Sequence, residues 1–220
     1  MAGETGIASS KALDERVRRL VAEGRSADAA TAALRALGPQ VLGYLSGVMG
    51  SEADADDVFA STSERVWRSL PKFEWRCSLR TWFYMVAHRE IARFRQRAKR
   101  HIDGRVGISE LRSVLGAVRS SVSSAQGSER QQKLAKLRAE LPEQDRALLV
   151  LRVDRDMAWE EIALVVAEGA EGDEREGAEG WSDEDTKREA ARLRKRFQVL
   201  RERLATRVRE EKLDLGSPHG

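Results

Sequence analysis

The sequence predicts an all-α fold, built as two small helical domains joined by a flexible linker. Three observations predict it. Apolar residues recur at three- and four-residue steps through most of residues 11–102 and again through 129–212, with capping residues at several of the breaks. Between those stretches Gly104, Gly107, Gly116 and Gly127 lie among serines, and the regular apolar spacing fades. The chain is 220 residues long, 34% charged and 41% hydrophobic, which suits one or two small cores.

Taken in order, residues 1–10 are small and polar and are expected to be disordered. Leu13, Val17, Leu20 and Val21 then form one side of a short amphipathic helix. The Ala-rich run from Ala27 to Leu37 is strongly helical and is expected to stop at Gly38-Pro39. Pro39 opens a further helix carrying Val41, Leu42, Tyr44, Leu45 and Val48, which ends near Gly50. Ser51, followed by Glu52 and Asp54, has the form of a cap with first-turn acids and opens a helix to Leu70.

A short loop at 71–78 leads to Ser78, which can cap the next helix. On that helix Leu79, Trp82, Phe83, Val86, Ala87 and Phe94 share one face, while Tyr84, His88, Arg95 and Lys99 share the other. Glu90 intrudes into the apolar stripe. Residues 103–128 read as the linker, with at most a short helix near Ser109–Arg119.

The second domain, 129–212, begins with a helix over Glu129–Glu140. Leu141-Pro142 starts another, faced by Leu148, Leu149 and Leu151. A short helix over 157–166 buries Trp159, Ile162, Ala163 and Val166. The acidic, Gly-rich loop 167–185 has no means of burying itself. Ser182 then caps a long basic helix with Leu193, Phe197, Leu200 and Leu204 along one seam, and residues 213–220 form a frayed tail.

Charge bounds the function. The net charge is only +3, but Arg and Lys crowd 89–105 and 187–209 while Asp and Glu crowd 52–57 and 168–185. Two basic surfaces of this kind suit a polyanion. Phe73 and Trp75 sit among Lys72 and Arg76, offering ring faces on which unstacked bases can stack beside cations for phosphates. A helix, a turn and a basic helix with an apolar seam form the pattern of a helix-turn-helix reader of the DNA major groove. The loop between the two reading helices is unusually long and acidic.

Other classes find no support. His88, His101 and His219 lack metal-ligand spacing, and no Gly-rich phosphate loop is present, so neither an enzyme nor a metal or cofactor is expected. Cys77 is alone, which fits a reducing compartment. With no long apolar run and no signal-peptide core at the start, the expected location is cytoplasmic, without membrane insertion.

Both halves together resemble one family. The order is Asp56-Asp57-Val58, then Arg65-Val66-Trp67-Arg68-Ser69-Leu70, Phe73, and Ser78-Leu79-Arg80-Thr81-Trp82-Phe83-Tyr84 with Ala87. Downstream come Leu141-Pro142-Glu143, Glu160-Glu161-Ile162-Ala163, Arg196-Phe197 and Leu200 to Leu204. This looks like a two-domain bacterial RNA polymerase sigma factor of the extracytoplasmic-function class, with regions 2 and 4.

The resemblance implies that residues 11–102 bind the clamp helices of core polymerase through Asp57, Ser61, Glu64, Arg65 and Arg68. It implies that the same domain opens the −10 promoter element, with Phe73, Trp75, Arg76, Arg80, His88, Arg89, Arg93 and Arg97 as its DNA-binding candidates. It also implies that residues 129–212 read the −35 element with Lys187, Arg188, Arg192, Lys195 and Arg196 and contact the polymerase flap. The implied partners are core polymerase, promoter DNA and an anti-sigma factor, with the free protein a monomer. The competing expectation is a sigma-like DNA-binding regulator that does not itself support initiation. Ala60 and Ser61 stand where the family usually has Gln-Glu, Arg89 where it usually has Asn, and Ala158 where it usually has a capping Ser or Thr.

Overall fold

The computed structural model describes residues 2–100, 114–118, 136–167 and 182–210. Every regular element among them is helical: α1 (Ala2–Ala22), α2 (Ser26–Met49), α3 (Glu52–Ser69), α4 (Leu79–Arg100), α5 (Glu143–Leu149), α6 (Trp159–Val166) and α7 (Asp183–Glu210). A single 3-10 turn, Leu70–Lys72, follows α3, and α5 widens into a π-helical turn over Val150–Asp154. The fold is all-α. Residues 114–118 are helical within the short helix expected near 109–119, while most of the expected linker and the core of the acidic loop, 168–181, lie outside the described residues.

Several caps form as the sequence predicts. Ser51 Oγ accepts from the Asp54 amide at 3.3 Å, and Ser78 Oγ accepts from the Thr81 amide at 3.1 Å. Ser182 Oγ accepts from the Asp185 amide at 3.1 Å while Asp185 Oδ2 reaches back to the Ser182 amide, a reciprocal box. At α6, where Ala158 has no cap to offer, Glu161 Oε2 accepts from the Ala158 amide at 3.0 Å. Asp156, two residues before, pairs with Arg152.

Three expectations change. Residues 2–10 are helical, the first part of α1, rather than disordered. Gly38-Pro39 does not divide α2, which runs unbroken with Pro39 inside it. An interior proline costs about 3 kcal/mol, but one continuous helix buries Leu34, Leu37, Val41, Leu42, Leu45 and Val48 together, each worth about 1.5–3 kcal/mol. Burial wins. Third, the face of α4 opposite the apolar stripe, bearing Tyr84, His88 and Arg95, is itself covered: Tyr84 is fully buried and His88 half-buried.

What covers that face is the second half of the chain. α5 packs on α2, and α6 packs on α4. Arg146 Nε donates to the Val48 carbonyl at 2.8 Å, and Arg155 Nε donates to the Gln40 carbonyl at 3.1 Å. Arg95 donates to Glu143 Oε2 at 2.8 Å, and Thr81 Oγ1 donates to Glu161 Oε1 at 2.9 Å. The approach is close because α2 carries glycines there. A Cβ at Gly47 would stand 3.0 Å from a Val150 methyl, and one at Gly43 would stand 2.6 Å from an Arg155 guanidinium nitrogen. The described parts of both halves share one hydrophobic cluster.

Candidate nucleic-acid interface

The segment between α3 and α4 is built around Phe73. Leu70 is fully buried and Phe73 is 8% exposed, so this part of the loop is anchored in the core. The Phe73 ring stacks on Trp82 of α4 (4.7 Å between centroids, 23° between planes) and meets Trp75 at 4.8 Å and 45°. Phe73 was expected as a loop contact; the structure gives it instead to the core, as the support beneath Trp75. Trp75 is half-buried and holds a left-handed backbone, φ 60. That conformation costs a large L-residue about 1–2 kcal/mol. Ring contacts with Phe73 offset about 0.5–1.5 kcal/mol of that strain.

The basic candidates divide. Arg76 is exposed and pairs with Glu74 at 2.7 Å. Arg80 reaches the Arg155 carbonyl and lies over the Tyr84 ring at 5.9 Å, so it is partly engaged by the second half. Arg89, Arg93 and Arg97 follow at four-residue steps along one face of α4, and Arg97 is exposed. From residue 80 to residue 97 the helix rises about 25 Å. The loop and this arginine row therefore lie at opposite ends of one helix.

His88 is a correction. Its Nδ1 lies 2.8 Å from the Tyr44 hydroxyl, inside the bundle rather than toward solvent. Burial raises the Tyr44 pKa far above its usual value, so the hydroxyl stays protonated and donates, leaving Nδ1 the acceptor. Burial also pulls the imidazole pKa down to about 4, against the opposing pull of Glu143. A neutral, inward-facing imidazole makes no phosphate contact. The sequence put His88 on the outer face because nothing in the helix period announced a second partner for that face.

Glu90, the intruder in the apolar stripe, has its explanation here. It is 2% exposed, and its Oε1 accepts from Arg65 Nε at 2.9 Å and from Arg93 Nη1 at 2.5 Å. The buried carboxylate thus ties α3 to α4 and takes Arg93 partly out of the pool of phosphate ligands. On α3, Val58, Phe59, Thr62 and Val66 face inward. Asp57, Ser61, Glu64, Arg65 and Arg68 are half-buried or exposed and form the outer stripe. Within it Arg68 pairs with Glu64 at 2.6 Å, and Ser61 Oγ donates to the Asp57 carbonyl at 3.2 Å.

In the second half α6 and α7 pack together through Ile162, Ala163, Ala190 and Leu193, all buried. Trp159 and Phe197 meet edge to face at 5.5 Å. Trp159 and Val166, expected in the core, are half-buried instead; Arg152 and Arg194 lie over the Trp159 ring at 5.3 and 5.8 Å. On α7, Lys187, Arg188, Arg192 and Lys195 are exposed. Arg188 pairs with Asp185, and Arg192 grips Glu189 through two nitrogens. Arg196 is a second correction: its Nε donates to the buried Asp145 Oδ1 at 2.6 Å and its Nη1 to Gln144 at 3.0 Å. It clamps α7 to α5.

Sequence reasoning missed three contributors. Arg18 lies over the Trp75 ring at 4.6 Å, Asp14 Oδ1 accepts from the Leu79 amide at 3.3 Å, and Arg155 enters the α2–α4 groove. Each meets residues far away in sequence, so no local spacing signals it. Among the described residues no group of three or more His, Cys, Asp or Glu side chains is arranged to hold a metal ion. None of the described helices is long and apolar enough to cross a membrane.

No curated protein and no solved structure matches the chain. Residues 33–101 match the family model for Sigma-70 region 2, a span that runs from α2 through the aromatic loop to just past the end of α4. The match is confined to that segment, and it supports a role in promoter recognition and RNA polymerase binding.

Proposed function

We propose that this chain is an initiation factor of the extracytoplasmic-function class, which binds core RNA polymerase, directs it to particular promoters and helps to open the −10 element. The observation that carries the reading is Trp75: a half-exposed indole, held in a left-handed backbone by a core-anchored Phe73, inside the Sigma-70 region 2 match. Extruding a base from a duplex costs a few kcal/mol of stacking. A stack on an aromatic face returns about 1–3 kcal/mol per base. Arg76 and Arg80 lie beside the loop, and Arg89 and Arg97 carry positive charge further along α4 for the strand backbone.

In this reading the outer stripe of α3 (Asp57, Ser61, Glu64, Arg65 and Arg68) meets the clamp helices of core polymerase. Residues 129–212 act as a region 4-like helix-turn-helix domain, whose α7 reads the −35 element and which also touches the polymerase flap. The α6–α7 packing and the exposed row Lys187, Arg188, Arg192 and Lys195 support it. No catalytic residue is required, because the polymerase carries out nucleotidyl transfer. The protein works in the cytoplasm, is a monomer when free, and is a target for an anti-sigma factor.

Size-exclusion chromatography of the full chain with bacterial core polymerase tests the reading. Co-elution that fails after Asp57→Arg and Glu64→Arg supports docking through α3. A chain that binds duplex DNA yet never joins core polymerase is the sigma-like regulator instead.

A further inference from the structure

The inference below deepens the proposed role of Trp75 and rests on it. Arg18 belongs to α1, outside residues 33–101. Its side chain is exposed, and its guanidinium lies 4.6 Å from the centroid of the Trp75 ring. Four residues earlier on the same helix, Asp14 Oδ1 accepts from the Leu79 amide, which ties α1 to the first turn of α4. Asp14 also sits near enough to Arg18 to feel its charge. α1 therefore grips the aromatic loop at two places: at Trp75 and just after the loop ends.

The other cations nearby are turned elsewhere. Arg76 pairs with Glu74, and Arg80 reaches the Arg155 carbonyl. Phe73 already fills part of the space around the Trp75 ring from the core side. The strained backbone at Trp75 therefore presents an indole that has Phe73 beneath it and a movable guanidinium against it.

We propose that Arg18 is a base-gripping residue: an unstacked nucleobase of the opened strand inserts between the Arg18 guanidinium and the Trp75 ring. A flat base needs about 3.5 Å on each face, so the guanidinium must lift to about 7 Å from the indole. An exposed arginine at the end of a flexible stem can make that movement. The guanidinium gives up its contact with the indole and regains a planar stack on the far face of the base. In the free protein Arg18 holds the place of the base and keeps the apolar indole covered. α1 thereby becomes part of the single-strand site, although it lies outside the matched family segment.

The test uses the full chain and two labelled strands of equal length, an oligothymidylate and its fully abasic counterpart, read by fluorescence anisotropy. Because stacking tolerates any base, no promoter sequence is needed. The wild-type chain should prefer the strand with bases, and Trp75→Ala should abolish that preference. Arg18→Ala should weaken oligothymidylate binding about tenfold and change abasic binding much less. Arg18→Lys, which keeps the charge without the plane, should recover little of the loss.

Equal losses on both strands for Arg18→Ala, or full recovery by Arg18→Lys, would make Arg18 a phosphate contact and overturn the inference. If Trp75→Ala removes the preference while Arg18→Ala keeps it, the inference fails and the proposed role of Trp75 stands. If the wild-type chain shows no preference for bases, or Trp75→Ala leaves it unchanged, both fall. Thermal melting of Arg18→Ala and Arg18→Lys within a few degrees of wild type confirms that the fold is intact.

Discussion

The imidazole Nδ1 of His88 and the hydroxyl of Tyr44 lie 2.8 Å apart, joining α4 to α2 beneath the docked second half. The bond needs a neutral imidazole. In the unfolded chain His88 titrates at its ordinary value of 6.5, and in the fold at about 4. Between those values the unfolded state binds more protons, so stability falls as pH drops from about 6.5 toward 4. The loss approaches at most about 3 kcal/mol. Urea unfolding at a series of pH values should show this slope, and His88→Gln should flatten it.

The buried carboxylate of Glu90 gives a second prediction. Glu90→Ala should destabilise by about 2–3 kcal/mol, since it leaves a cavity and strips two arginines of their partner. Arg65 and Arg93 are 42% and 34% exposed, so both can return to water. Glu90→Leu should therefore cost less than Glu90→Ala, because it fills the space without leaving a buried charge. Chemical denaturation of the two variants checks the order.

The glycines of α2 govern how closely the second half sits. Gly47→Leu drives a side chain into Val150, and Gly43→Leu drives one into Arg155. Either should improve α2 as a helix by up to about 1 kcal/mol while loosening the packing of α5 and its π-helical turn. Small-angle scattering should show a larger radius of gyration, with helical content retained. An unchanged radius would mean that the close approach at Gly43 and Gly47 does not hold the halves together.

At Trp75 stability and function should separate. Trp75→Gly removes the strained L-residue conformation, so about 1–2 kcal/mol of strain relief offsets the lost ring contacts, and the melting temperature should move little. Promoter opening, read by permanganate reactivity of unpaired thymines, should fall by tenfold or more, with closed-complex binding largely kept.

Arg196 and Lys195 are neighbours with opposite expected behaviour. Arg196→Ala should destabilise by about 1–3 kcal/mol, because it orphans the buried Asp145. Removing Lys187 and Lys195 together should leave stability alone, weaken duplex binding and flatten its salt dependence. Melting curves and salt titrations separate the two roles.

The helices, most of their caps and the apolar face of α4 were legible in the sequence, because each depends on spacing within about four residues. Trp82, Phe83 and Val86 are buried as their period requires. The unbroken α2 was not legible: Pro39 is a strong local signal, and only the burial along the whole helix outweighs it. Nor was the covered face of α4, where Tyr84, His88 and Arg95 meet Tyr44 and Glu143 from distant elements. In the candidate site, Phe73 and Trp75 were expected to share one role, and the structure separates them. Phe73 anchors while Trp75 presents, a difference set by backbone angles that composition does not encode.

The central claim is that this chain directs polymerase to promoters and opens them. Purified full-length protein, bacterial core polymerase and supercoiled genomic fragments should yield discrete new transcripts, with permanganate-reactive thymines just upstream of each start. Trp75→Ala should abolish that reactivity while upstream binding persists. Core polymerase that gains no start sites and no reactive thymines from the wild-type chain, across the whole set of fragments, would contradict the account.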